Sequence, residues 1–262
     1  MSRQLRNGEN NMRIVKLTKE SKSNILENLL KRSPNSYGKF ESAVADILAN
    51  VKSRGDDALF EYTRNFDKAD INPSNIVVTQ EEIDEAYSLV DDKLLDVIRK
   101  ALVNIRDYHE KQKQYSWFDS KPDGTMLGQK VTPLASAGVY VPGGKAVYPS
   151  SVLMNIVPAK IAGVDHVVMC TPCNKEGKVN PAVLVAAKEA GTDEVYKVGG
   201  AQAIAAMAFG TESIPKVDKI TGPGNIFVAL AKKAVSGFVS IDSIAGPSEI
   251  LVLADETANP RY

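Results

Sequence analysis

From Ala137 onward, short apolar runs take turns with helical patterns, and this alternation restricts the fold more than any other feature of the sequence. The runs GVYV, HVVMC, EVYKV, KVDKI and EILVLA are separated by SSVLMNIVPAKIA, PAVLVAAKEA, AQAIAAMAF and NIFVALAKKAV. A helix between two strands carries the chain back across the sheet, so successive strands lie parallel and both faces are covered. Residues 137–254 are therefore expected to form an open α/β sheet.

Upstream the texture is helical. Phe40, Val44, Ile47, Leu48 and Val51 recur at spacings of three and four, which lines one face of a helix, and Gly55 interrupts the run. Thr79 followed by Glu82 has the spacing of a capping box, and a long amphipathic helix is expected from about Asp91 to Gln114. Short strands are expected near Arg13–Leu17 and Asn75–Val78. The change from helical to alternating texture near 120–136 is the best boundary candidate. The division expected is a disordered tail over 1–12, a helical part of a first domain over 13–136, a cofactor domain over 137–247, and a return to the first domain over 248–262.

Composition excludes some classes of partner. The 32 basic and 32 acidic residues cancel, so no global field draws the chain to nucleic acid or an anionic membrane. The most apolar stretch, Ser151–Gly163, contains Pro158 and Lys160 and falls short of the roughly 20 apolar residues a spanning helix requires. The opening MSRQLRNGENN has no apolar core of a signal peptide. Cytoplasm is the expected compartment.

In an open parallel sheet, ligands gather beyond the carboxyl ends of the strands. Three loops that follow strands there are rich in glycine: Pro142, Gly143 and Gly144; Gly199 and Gly200, followed by Ala201 and Gln202; and Thr221, Gly222, Pro223, Gly224 and Asn225. Glycine admits a ligand close to the backbone, and the following helix dipole favours an anionic group such as pyrophosphate. Glycine is also the ordinary residue of a tight turn, and none of these loops has the G-x-G-x-x-G fingerprint or a phosphate loop. Asn225 reads equally as a helix cap, and Gln202 as a solvated polar residue.

Other groups offer less. Cys170 and Cys173 have dithiol spacing, but there is no second cysteine pair to complete a zinc site. His109 lies among charged residues of a helix and reads as a surface residue. His166 is explained by its place in a strand. The acidic run Glu81, Glu82, Asp84 and Glu85 suits a helix amino terminus.

Three ordered blocks, GVYVPGGKAVYPSSVLMNIVPAKIAGV, KVGGAQAIAAMAFGTESIPKVDKITGPGNIFVALAKKAV and IDSIAGPSEILVLADETANP, resemble the histidinol dehydrogenase family closely, and GDDALFEYTRNFD resembles its early segment. The resemblance implies NAD-dependent oxidation of L-histidinol through the aldehyde to L-histidine, the final step of histidine biosynthesis, with zinc holding the substrate. It implies a Rossmann-like sheet of the aldehyde dehydrogenase type and a homodimer. By motif position it places NAD contacts on Tyr140, Gln202 and Asn225 and a substrate contact on Ser248. Neither cysteine lies in a nucleophile motif of the aldehyde dehydrogenase kind, so covalent thiohemiacetal chemistry is not expected.

The family's Q-A-E-H segment, with two zinc ligands, and its proton-transfer glutamate and histidine would fall beyond Tyr262. The chain is thus expected to be an N-terminal part without catalytic or metal-ligating residues, inactive alone, with reduced stability or exposed apolar surface. Asn259 and Pro260 read as a helix start. Two rivals are a noncatalytic nucleotide-binding or interaction protein that keeps only the fold, and a small dithiol protein.

Overall fold

The computed structural model describes residues 15–16, 18–30, 38–143, 147–244, 250–259 and 261. Contacts divide the chain into two units, residues 1–42 and 43–262. The first contains α1 (Lys19–Leu30). Its entry is fixed by a reciprocal pair of bonds: the Thr18 amide donates to Ser21 Oγ at 2.7 Å, and the Ser21 amide donates to Thr18 Oγ1 at 3.1 Å. Of the strand expected over Arg13–Leu17, residues 13, 14 and 17 lie outside the described residues, and 15–16 are not in a strand.

The second unit opens with four further helices: the rest of α2 (Gly38–Arg54), then α3 (Asp56–Phe66), α4 (Gln80–Leu89) and α5 (Asp92–Glu110). Val44, Ile47, Leu48 and Val51 are buried on α2 as their spacing requires, while Phe40 is exposed. The capping box forms at α4: the Glu82 amide donates to Thr79 Oγ1 at 3.3 Å and the Thr79 amide to Glu82 Oε2 at 3.1 Å. Asp91 caps α5, accepting from the Leu94 amide at 2.7 Å. That helix stops at Glu110, short of the expected Gln114.

Residues 75–78, expected as a strand, make one antiparallel bridge, Val77 to Tyr196. The segment covers a sheet edge with two backbone bonds, Val78 N to Val195 O and Lys197 N to Ile76 O, both 2.9 Å. The boundary region holds a hairpin that the sequence reading did not foresee, β1 (Trp117–Ser120) paired antiparallel with β2 (Met126–Gln129). All of its residues are exposed, so no buried face imposes an alternating pattern on it.

Then comes the expected alternation: β3 (Ser136–Tyr140), α6 (Pro149–Ala162), β4 (His166–Cys170), α7 (Pro181–Ala190), β5 (Glu194–Tyr196), α8 (Gly200–Phe209), β6 (Lys219–Thr221), α9 (Ile226–Val235) and β7 (Ser240–Ile241). All pairings are parallel and the order is β5-β4-β3-β6-β7. The chain therefore winds outward from β3 in one direction, then returns and winds in the other. Right-handed crossovers place α6 and α7 on one face and α8 and α9 on the other. The α4 and α5 helices pack outside α6 and α7, and α3 packs against α8.

Asn180 and Pro181 start α7 as cap and first residue, the Ala182 amide donating to Asn180 Oδ1 at 3.0 Å. From Ala201 to Ala208 every residue of α8 is buried, as a helix apolar on all sides must be.

Of the expected strand EILVLA, Glu249 lies outside the described residues and the rest forms no strand. Residues 250–254 lie outside the sheet, with Ile250, Leu251, Val252 and Leu253 exposed by 91, 88, 78 and 93%. An apolar, β-branched run favours a strand only where a neighbouring ladder accepts it, and here the edge position is taken by Ser240–Ile241, which lies between α9 and the expected run. Asn259 accepts from the Arg261 amide at 3.1 Å. Pro260 lies outside the described residues, as does the expected helix start built on it.

Candidate functional site

The reversal of winding direction falls between β3 and β6. In an open parallel sheet, neighbouring loops part there, which leaves room at the carboxyl ends of the strands. Tyr140 is the last residue of β3, and Thr221 ends β6 beside it, with Val139 and Thr221 in register. The turn Gly222–Asn225 and the start of α8 come to the same place.

Two contacts show this. Tyr140 is buried, and its hydroxyl accepts the Gly200 amide at 3.1 Å, a backbone donor at the first turn of α8. Burial pushes the Tyr140 phenol up to about 12, so the hydroxyl stays protonated near neutrality. On the other side, a Cβ on Gly222 would stand 2.0 Å from the Tyr140 carbonyl oxygen, and φ is +118° there. Only glycine permits that backbone and that approach.

Gln202 is the one polar residue within α8 and is 1% exposed. Its Oε1 is buried without a hydrogen-bond partner. It is therefore not the solvated residue that the sequence also allowed. Burying an amide oxygen unpaired costs about 1–3 kcal/mol, which singles it out in a helix that is otherwise glycine, alanine, isoleucine, methionine and phenylalanine. Thr221 Oγ1 is likewise buried and unpaired. Asn225 is exposed and caps α9, its Oδ1 accepting the Phe227 and Val228 amides at 3.0 and 3.2 Å. Ser248, Gly144 and the residues around them lie outside the described residues.

Tyr140, Gln202 and Asn225 thus stand at one rim, reached from three separate loops. A cleft of about 340 Å³ opens beside them, lined by Leu89, Pro142, Gly143, Pro172, Cys173 and Lys178 among others, and none of the three residues lines it.

The two cysteines are free and buried. Burial drives the Cys170 thiol well above its ordinary range and that of Cys173 up to about 11. Since the thiolate is the reactive form, neither is prepared for dithiol exchange. His109 Nδ1, on α5, lies 2.7 Å from Oε1 of Gln112 just beyond that helix, and His166 Nε2 lies 3.8 Å from Glu194. Among the described residues, no group of three or more His, Cys, Asp and Glu could hold a metal ion, and no helix is long and apolar enough to cross a membrane.

A family model for histidinol dehydrogenase matches residues 30–262. The chain belongs to the histidinol dehydrogenase family. It is 61% identical over 219 residues to a histidinol dehydrogenase of Heliobacterium mobile, covering 84% of this chain and 51% of the relative. It is 62% identical over 217 residues to one of Bacillus subtilis (strain 168), covering 83% of this chain and 50% of the relative. The crystal structure of histidinol dehydrogenase from Elizabethkingia anophelis matches with a TM-score of 0.78 at 43% identity, covering 84% of this chain and 51% of that one. The chain spans about half the length of the relatives it matches.

The structure adds residues at this rim that the sequence reading missed. Asp67, at the end of α3, acts electrostatically on both Tyr140 and Cys173. Its Oδ2 is buried and unpaired, and burial pushes its carboxyl up to about 6. Asp67 closes the block GDDALFEYTRNFD, but nothing in that block assigns it to the rim, because its neighbours there are more than seventy residues away. Lys232 did carry a signal. It shares the apolar stripe of α9 with Val228 and Val235, at helical spacing, where a lysine is out of place.

Proposed function

We propose that this chain is the dinucleotide-binding part of a cytoplasmic, homodimeric enzyme that oxidises L-histidinol through the aldehyde to L-histidine with NAD. In this reading residues 137–247 form the cofactor domain. The carrying observation is the meeting of Tyr140, the start of α8 and the Gly222–Asn225 turn at the point where the sheet reverses its winding. Family membership, with the family model matching residues 30–262, supports the same conclusion.

The residues present fit a dinucleotide. Gln202 Oε1 lacks a donor, and a bound amide or hydroxyl group would supply one. Asn225 commits its oxygen to capping α9, which leaves its amide nitrogen to donate outward. Tyr140 holds the first turn of α8 in place through its hydroxyl and stays neutral while doing so. NAD, when bound, accepts the hydride that leaves the carbinol carbon. Ser248 is the proposed substrate contact.

Among the described residues, no group of His, Cys, Asp and Glu would hold the zinc that the family resemblance implies. Binding and turnover are thereby separable. Titrating the chain with NADH and following nucleotide fluorescence is expected to show saturable binding, and absence of binding would overturn the proposal. A chain extended to the length of its relatives, given zinc and L-histidinol, is expected to form NADH, whereas this chain alone is expected not to.

A further inference from the structure

Lys232 is 1% exposed, yet it is a cation on α9, a helix packed against α8. A buried ammonium requires a counter-charge and acceptors. It has both. Its Nζ pairs with Asp242, just beyond β7, and donates to the Gly222 carbonyl oxygen at 2.9 Å. The other oxygen of Asp242 accepts the Gly222 amide at 2.9 Å. One ion pair therefore grips the two peptide units that flank a single glycine, the amide on one side and the carbonyl on the other.

That glycine is the residue with most freedom to lose. Its φ of +118° and its place against the Tyr140 carbonyl are open to glycine alone, and an unrestrained glycine samples both signs of φ. Fixing both flanking peptides removes that freedom. The chain direction leaving Gly222 then sets where Asn225 caps α9, three residues later. A pair serving stability alone has no need to grip this turn, since replacing buried ion pairs by apolar residues is often neutral or stabilising.

We propose that Lys232 and Asp242 are positioning residues for the dinucleotide, holding the Thr221–Asn225 turn in its binding geometry beside Tyr140. This rests on the dinucleotide reading of the rim, and the test separates the two. The variant is K232M/D242N, which removes the charges together and strands neither. The control is D193N, at the opposite ends of the strands, where Asp193 bonds the Val167 amide and Lys160.

NADH affinity, thermal unfolding and amide hydrogen exchange are measured on the wild-type chain and both variants. The expected result is a loss of NADH affinity of about tenfold in K232M/D242N and less than about twofold in D193N, whichever melts lower. Exchange at Gly224–Val228 is expected to speed up by about tenfold in the pair variant only. Wild-type binding with undiminished affinity in K232M/D242N overturns the positioning role and leaves the dinucleotide reading standing. No binding by the wild type overturns the dinucleotide reading, and exchange then decides the grip on the turn: unchanged protection at Gly224–Val228 sinks it. If K232M/D242N does not fold, D242E, which keeps the charge and moves the carboxylate by one methylene, is judged by the same thresholds.

Discussion

The two rims of the five-stranded sheet differ in how many buried polar groups they leave unpaired. At the amino ends, carboxylates close the structure: Asp218 accepts the Ser136 amide at 2.9 Å and its hydroxyl at 3.0 Å, and Asp193 accepts the Val167 amide at 2.7 Å and Lys160 at 2.6 Å. At the carboxyl ends, Gln202 Oε1, Thr221 Oγ1 and Asp67 Oδ2 are buried without partners, whereas at the amino ends one atom among the described residues, Thr192 Oγ1 beside Asp193, is so buried. Native proteins leave few buried polar groups unpaired. Three around one tyrosine mark the rim proposed to take the dinucleotide, while bonds at the other rim tie the strands together.

The sharpest way to break this comparison is Asp242→Asn alone, which leaves Lys232 buried without its counter-charge. A loss of about 3 kcal/mol in urea unfolding is expected, and a loss below about 1 kcal/mol would show that water reaches the lysine and that the grip on Gly222 is loose. At the opposite rim, Asp193→Asn is expected to cost about 2 kcal/mol with NADH binding retained. Loss of binding there would erase the distinction between the rims.

Asp67→Asn should act in the other direction. Burial raises the folded carboxyl from 3.8 to about 6, so the folded state favours the protonated form. The resulting penalty is absent below about pH 4, grows between pH 4 and 6, and is complete above that. Because part of the carboxyl meets water, a gain of about 1 kcal/mol at pH 8 is expected from the substitution, and none at pH 4. Equal gains at both pH values would place the effect outside this ionisation. The smallest change in stability belongs to Gln202→Met. Replacing an unpaired buried amide by an apolar side chain of similar length should alter unfolding by less than about 1 kcal/mol while weakening NADH binding. A large loss of stability would mean that Gln202 serves packing.

The sequence by itself determined whatever depends on near neighbours. Helix caps need residues two or three positions apart, so Thr79 with Glu82 and Asn225 were legible, as was the alternation of β3 to β6 with their helices. The family blocks named the three rim residues by motif.

Tertiary structure alone decided the strand order, which creates the switch point, and with it the meeting of Tyr140, Gly200 and Gly222. It also left Ile250–Leu253 outside the sheet despite an apolar pattern stronger than that of Ser240–Ile241. A strand exists only where another offers its ladder, and a charge can be buried only where another meets it. Lys232 with Asp242, and Asp67 with Tyr140, are such long-range encounters, and their energies come from burial and pairing that no local window of the chain contains.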